Sequence, residues 1–187
     1  MPAIIEPETA RLYLRQWRDS DYAPFARINA DPGVMKYFPT CLDRQASDAM
    51  ADRIRVLIAS RGWGVWAVEL KQTQTLIGFV GLHIPTDDLP FKPCVEIAWR
   101  LAADCWGRGY ATEAAKAALQ VGFDTLEMAE IVSFTSLLNR RSQAVMERLG
   151  MQREVQTFLH PAVPADSPLR EHCLYRLAKH DYWANLN

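Results

Sequence analysis

Cysteine is sparse in this sequence, and its spacing excludes the commonest roles. Cys41, Cys94, Cys105 and Cys173 form no C-x-x-C pair, which argues against a zinc knuckle. Free thiols behaving as small hydrophobes are expected instead. A surplus of charge is missing too. The 21 basic and 22 acidic residues leave a formal net charge of -1, and no Lys/Arg run is longer than the pair Arg140-Arg141. A chain that neutralises many phosphates carries a basic stripe, so no nucleic-acid partner is expected. No apolar run approaches the ~18 residues that a membrane-spanning helix needs. The opening Met1-Pro2-Ala3-Ile4-Ile5-Glu6-Pro7 has no basic region followed by an apolar one, the mark of a secretory signal. A cytoplasmic protein with no membrane partner is the expectation.

What is present suits one domain over residues 1–187, of which 49% are hydrophobic and 23% charged. Leu12 and Leu14 alternate with polar residues and predict a strand. Asp19-Ser20-Asp21 predicts the start of a helix reaching Ala30, and Asp43 the start of a second one ending at Arg61-Gly62. Trp63–Leu70 and Leu76–Ile84 read as a hairpin joined by Lys71–Thr75. Within it, Gly78 and Gly81 predict a kink or the close approach of another backbone. Cys94–Leu101 is a further strand. Gly109–Phe123 is a helix whose small residues Ala111, Ala114, Ala115, Ala118 and Gly122 share one face, so it must lie very close to its partner. Ala129–Ser136 predicts a strand, Asn139–Leu149 a capped helix stopped at Gly150, and Met151–Leu159 with Arg170–Ala178 the final strands. The order β-α-α-β-β-β-α-β-α-β-β predicts an α+β fold, a mostly antiparallel sheet with helices on both faces. Exposed sheet edges leave both a monomer and a homodimer open.

The chemistry concentrates in Glu96–Leu101 followed by Cys105–Ala114. A strand ends, a turn carries Gly107 and Gly109, and a helix begins. Amides at a helix start have no intrahelical partner, the helix dipole adds positive charge there, and glycines let a phosphate near the main chain. This is a phosphate cradle on physical grounds. The P-loop pattern fails for want of its lysine, and the dinucleotide pattern fails because Thr112 occupies its third glycine position. A nucleotide-binding oxidoreductase is disfavoured accordingly.

Trp106-Gly107-Arg108-Gly109-Tyr110-Ala111-Thr112-Glu113-Ala114 resembles the pyrophosphate motif of the GNAT superfamily of acetyl-CoA-dependent N-acetyltransferases, in the form used by its ribosomal-protein N-terminal (alanine) acetyltransferase branch. Three further blocks agree with it: Thr9–Arg15, the stretch from Asn139-Arg140-Arg141-Ser142 to Leu149-Gly150-Met151, and Asp181-Tyr182-Trp183. The resemblance implies a seven-stranded sheet and acetyl-CoA as co-substrate, with no metal. It also implies transfer by direct attack of a primary amine, either a protein N-terminus or a small molecule. Ile97, Ala98, Trp99 and Leu101 would face the pantetheine arm. Trp106, Gly107, Arg108, Gly109, Tyr110, Ala111 and Thr112 would hold the diphosphate, with Arg108 either touching a phosphate or simply solvated.

Glu96 is the first candidate for general base, with anchoring of the amine and plain solvent exposure as the other readings of a Glu in an apolar strand. His83 is a second base candidate or a surface residue. The family's thiolate-protonating Tyr position holds Met146, which cannot donate, so Ser142 becomes the hydroxyl candidate beside ordinary hydrogen bonding at a helix start. Asn139 caps its helix, contacts CoA, or does both. Trp17, Trp63, Trp66, Tyr37 and Phe38 are candidates for the acceptor pocket or for core. A non-catalytic acyl-CoA sensor remains the rival reading.

Overall fold

The computed structural model describes residues 2–184. Its strands are β1 (Leu12–Arg15), β2 (Val65–Leu70), β3 (Thr75–His83), β4 (Glu96–Leu101), β5 (Glu130–Ser136), β6 (Gln152–Leu159) and β7 (Glu171–Ala178). Its α-helices are α1 (Tyr22–Ala30), α2 (Arg44–Arg61), α3 (Tyr110–Gln120), α4 (Arg140–Arg148) and α5 (Lys179–Ala184). The seven strands form one sheet in the order β1-β2-β3-β4-β5-β7-β6. Every pairing is antiparallel except β4 with β5.

The expected elements are present, with shifts that have local causes. The first helix opens with a short 3₁₀ turn over Asp19–Asp21 before α1 begins. α2 starts where Asp43 accepts a hydrogen bond from the Ala46 amide and stops at Gly62, whose φ of 81° is left-handed. α3 is followed by a π turn over Val121–Thr125, which keeps Gly122 against the sheet. A Cβ there would stand 2.5 Å from Ile131 Cδ1 and 3.1 Å from Leu82 Cδ1. The small-residue face of α3 behaves as expected, with Ala114, Ala115 and Ala118 fully buried. α5, absent from the periodicity reading, docks by stacking Tyr182 on Phe123 at 4.7 Å.

Side chains alternate across a strand, so neighbouring β3 residues serve opposite faces. Phe79 meets Phe25 of α1, while Leu82 lies beneath the π turn after α3. The helices therefore cover both faces. The α1 side is locked by Trp17, 1% exposed, which packs edge-on against Phe25 at 4.7 Å and donates to the Val65 carbonyl. An aromatic pair of this kind adds about 0.5–1.5 kcal/mol beyond area burial. Gly81 is required by close approach, since a Cβ would fall 2.2 Å from the Gly64 carbonyl oxygen.

Candidate active site

β4 and β5 lie side by side only at their start. Glu96 pairs with Val132, the Val132 amide donates to the Val95 carbonyl, and Ser133 Oγ donates to the Ile97 carbonyl. Beyond that point no ladder bond joins them, and β4 has an open edge from Ala98 to Leu101. The opening is continuous with a cleft of about 1600 Å³, lined by residues of α2, β2, β3, β4, α3, β5, α4 and β7, of the turn before α3 and of the loops after α1, β3, β5 and β6.

On one side the cleft meets the turn before α3. Gly107 and Gly109 both have left-handed φ, 74° and 79°, so the turn requires residues without a Cβ penalty. A Cβ on Gly107 would have nothing within 4 Å, which leaves the main chain bare. No side chain caps α3, so its first amides remain available, as expected at a helix start. Trp106, Gly107, Gly109, Tyr110, Ala111 and Thr112 all line the cleft. Arg108 is exposed and does not line it. The positive charge on this side comes from Lys116, Arg141 and Arg148. Arg141 lies over the Trp106 ring at 4.5 Å. Arg141 and Arg148 share one face of α4 seven residues apart, while Lys116 comes from α3, so only the packing of the two helices brings the three cations to one cleft.

Asn139 and Ser142 line the same side. Asn139 Oδ1 accepts from the Ser142 amide, and Asn139 Nδ2 donates to Thr135 Oγ1 and Ser142 Oγ, both at 3.0 Å. Helix capping is therefore made, at the cleft wall. Met146 is 1% exposed and reaches the wall from α4.

On the other side, Glu96 is buried at 8% exposure and faces the cleft. Solvent exposure, one of its three readings, does not hold. Register places His83 of β3 directly opposite Glu96, and His83 Nε2 lies 2.8 Å from Glu96 Oε2. His83 is thus the partner of Glu96, half-buried at the cleft wall. Burial pulls the His83 imidazole down, but the hydrogen bond and charge of Glu96, with a smaller contribution from Asp87, raise it above its ordinary value. Across the cleft stand His160 and His172, ring centroids 4.9 Å apart. Burial lowers both, His172 to about 4.

Of the aromatic candidates, Tyr37 and Phe38 line the cleft. Trp17 and Trp66 are core, 1% and 0% exposed, with Trp66 donating to the Ile5 carbonyl. Trp63 lies beside Arg61 instead. Of the strand positions, Ala98, Trp99 and Leu101 reach the cleft wall, while the Ile97 side chain is wholly buried. Among the described residues no group of His, Cys, Asp or Glu could hold a metal ion, and no helix is long and apolar enough to cross a membrane.

Residues 11–152 match the model of the acetyltransferase (GNAT) domain. An uncharacterized Bacillus subtilis protein, YkkB, is 30% identical over 144 residues, 76% of this chain and 83% of its own. The crystal structure of an acetyltransferase from Agrobacterium tumefaciens superposes with a TM-score of 0.75 at 29% identity, covering 95% of this chain and 96% of that one. Spermidine N-acetyltransferase from Vibrio cholerae, solved with CoA and spermine, shares the fold with a TM-score of 0.73 at 19% identity, over 94% of this chain and 99% of that one. A splayed β4–β5 pair, a bare glycine turn ahead of α3 and a domain match over most of the chain place this protein in the GNAT acetyltransferase family, whose acetyl donor is acetyl-CoA.

Proposed function

We propose that this chain transfers the acetyl group of acetyl-CoA to a primary amine by direct attack, with both substrates held in the one cleft. The observation that carries this reading is the Glu96–His83 pair, with Glu96 buried, in the wall of the cleft onto which the uncapped start of α3 also opens.

The residues present fit acetyl-CoA. The amides from Gly107 to Thr112 would hold the diphosphate, with Lys116, Arg141 and Arg148 supplying counter-charge. The open edge of β4, from Ala98 to Leu101, would pair with the pantetheine arm. Acetyl-CoA, once bound, brings the acyl group already activated as a thioester. The chain's own part is positioning and proton handling. An ammonium must lose a proton before it attacks, and Glu96 with His83 can receive it at the cleft wall. Anchoring of the incoming cation by the Glu96 carboxylate is the second use of the same geometry. Ser142 keeps its own hydroxyl proton free, since its Oγ accepts from Asn139, and that proton is available to a departing thiolate. The acceptor is a protein N-terminus, as the Trp106–Ala114 motif suggests, or a small molecule, as the spermine bound to the Vibrio cholerae neighbour suggests.

The test is release of free thiol from acetyl-CoA across a panel of amines. Glu96→Gln should lower turnover about 100-fold or more, with acetyl-CoA affinity by calorimetry nearly unchanged. Lost affinity with normal turnover would refute the assignment. Binding without thiol release for any amine would make the chain an acyl-CoA sensor.

A further inference from the structure

The acceptor half of the cleft holds a buried cation that the fold does not neutralise. Arg100 follows Glu96 by four residues on β4, so both side chains project from the same face of the strand. Only 8% of Arg100 is exposed, yet it lines the cleft. Among the described residues its hydrogen bonds use Nη1 alone, which donates to Asn29 Oδ1 at 2.7 Å and reaches the Met50 sulfur at 3.9 Å. Nε is buried and has no hydrogen-bond partner. The rings of Phe38 and Phe79 flank the guanidinium at 4.3 and 5.3 Å. Among the described residues no carboxylate lies within ion-pair distance of it. Burial accordingly pushes Arg100 down to about 10. An unpaired buried charge is costly, and a planar guanidinium edge without partners matches a carboxylate.

Acid and base are unevenly placed along this half of the cleft. Glu96 and Asp87 lie at the end where β3 meets β4, with His83 and Arg61 beside them, and Arg100 lies four residues along β4 with no acid within ion-pair distance among the described residues; the exposed Arg53 of α2 is also on the wall. The third acid of the wall, Glu113, is tied to Arg11 on the α3 side.

We infer that the acceptor is an amine that also carries a carboxylate, its ammonium directed to Glu96 and its carboxylate to Arg100. This rests on the acetyl-transfer reading above and narrows it. Four residues of strand span about 13 Å. The two groups are therefore separated by many bonds, as in a short peptide with a free C-terminus or a long-chain amino acid, and not as in an α-amino acid.

Triglycine and its C-terminal amide form a matched pair that tests this. With the whole protein, kcat/KM is measured by thiol release, and the binding of each peptide is measured by calorimetry without acetyl-CoA. Triglycine should be preferred by about tenfold or more in both readouts, the worth of one hydrogen bond to a charged group. Arg100→Gln should erase the preference by weakening triglycine, so that the two peptides then give the same kcat/KM and the same affinity. Arg100→Lys, which keeps the charge and loses the planar edge, should retain part of it. The Lys variant also covers failure of the Gln variant to fold. Equal treatment of the two peptides by the unaltered protein, or a preference that survives undiminished in the Gln or the Lys variant, overturns the inference. Acetylation of neutral amines in that case would leave the acetyl-transfer reading standing. Absence of thiol release with every amine would strike that reading instead, while the calorimetric preference would still decide the role of Arg100.

Discussion

Two arginines of this protein are buried almost equally, Arg15 at 6% exposure and Arg100 at 8%, and the fold treats them in opposite ways. Arg15 sits in a closed network. Its Nη1 and Nη2 donate to the two oxygens of Asp21 at 2.7 and 2.9 Å, its Nε donates to Glu69 at 2.7 Å, and its Nη1 also reaches the Gln16 carbonyl. Burial weakens the charge, but the two carboxylates outweigh it, and Arg15 is raised above its ordinary value. Arg100 has one amide oxygen, one sulfur and two rings, and it is lowered. The first pattern fastens β1 to β2 and to the turn before α1. The second leaves donors unspent on a cleft wall. Burial of a charge therefore does not distinguish structure from function; the state of its hydrogen bonds does.

Removing the guanidinium of Arg15 should produce the largest effect on stability. Arg15→Met strands Asp21 and Glu69 as buried carboxylates, and should cost about 3–5 kcal/mol, read as a fall in the urea midpoint at neutral pH. A loss under about 1 kcal/mol would erase the contrast.

His172 sharpens it further, as a second base on the cleft wall that burial drives toward neutrality. Its folded value, about 4, lies below its ordinary value of 6.5. The folded chain therefore holds fewer protons than the unfolded one between those limits. Stability from this group is complete above pH 6.5 and is lost as pH falls toward 4. His172→Phe should remove about 2 kcal/mol of the loss between pH 7 and pH 5, measured by denaturant titration at both values. An unchanged pH slope would show that His172 is not held neutral.

The smallest effect is expected from Arg100→Met. Removing a cation with no carboxylate partner relieves desolvation as it sacrifices the Asn29 bond, so the unfolding free energy should change by less than about 1 kcal/mol. A cost as large as that of Arg15→Met would make Arg100 a structural residue and remove the ground for a carboxylate subsite.

Much of the fold was legible because its signals are local. The Asp43 cap, the Gly62 stop, the hairpin from β2 to β3 and the small-residue face of α3 are all written within a few residues of where they act. The glycine turn was legible for the same reason, since Gly107 and Gly109 act through their own φ angles. The extra helix α5 was missed because its docking contact, Tyr182 on Phe123, lies 59 residues away in sequence. For Arg108 the sequence left phosphate contact and solvation equally open; its side chain is exposed, and cations lining the cleft come from Lys116, Arg141 and Arg148 of the flanking helices.

By itself, then, the sequence determined the order of the strands and of the first four helices, which turn must be bare of side chains, and that a carboxylate stands in β4. Those properties follow from backbone preference and from alternation along one segment. The tertiary structure alone decided what each charge faces. Register across β3 and β4 brought His83 to Glu96, β2 and the turn before α1 supplied Arg15 with Glu69 and Asp21, and among the described residues no acid stands within ion-pair distance of Arg100. Coulomb and desolvation energies depend on distance and burial in space, and a linear chain carries neither until it has folded.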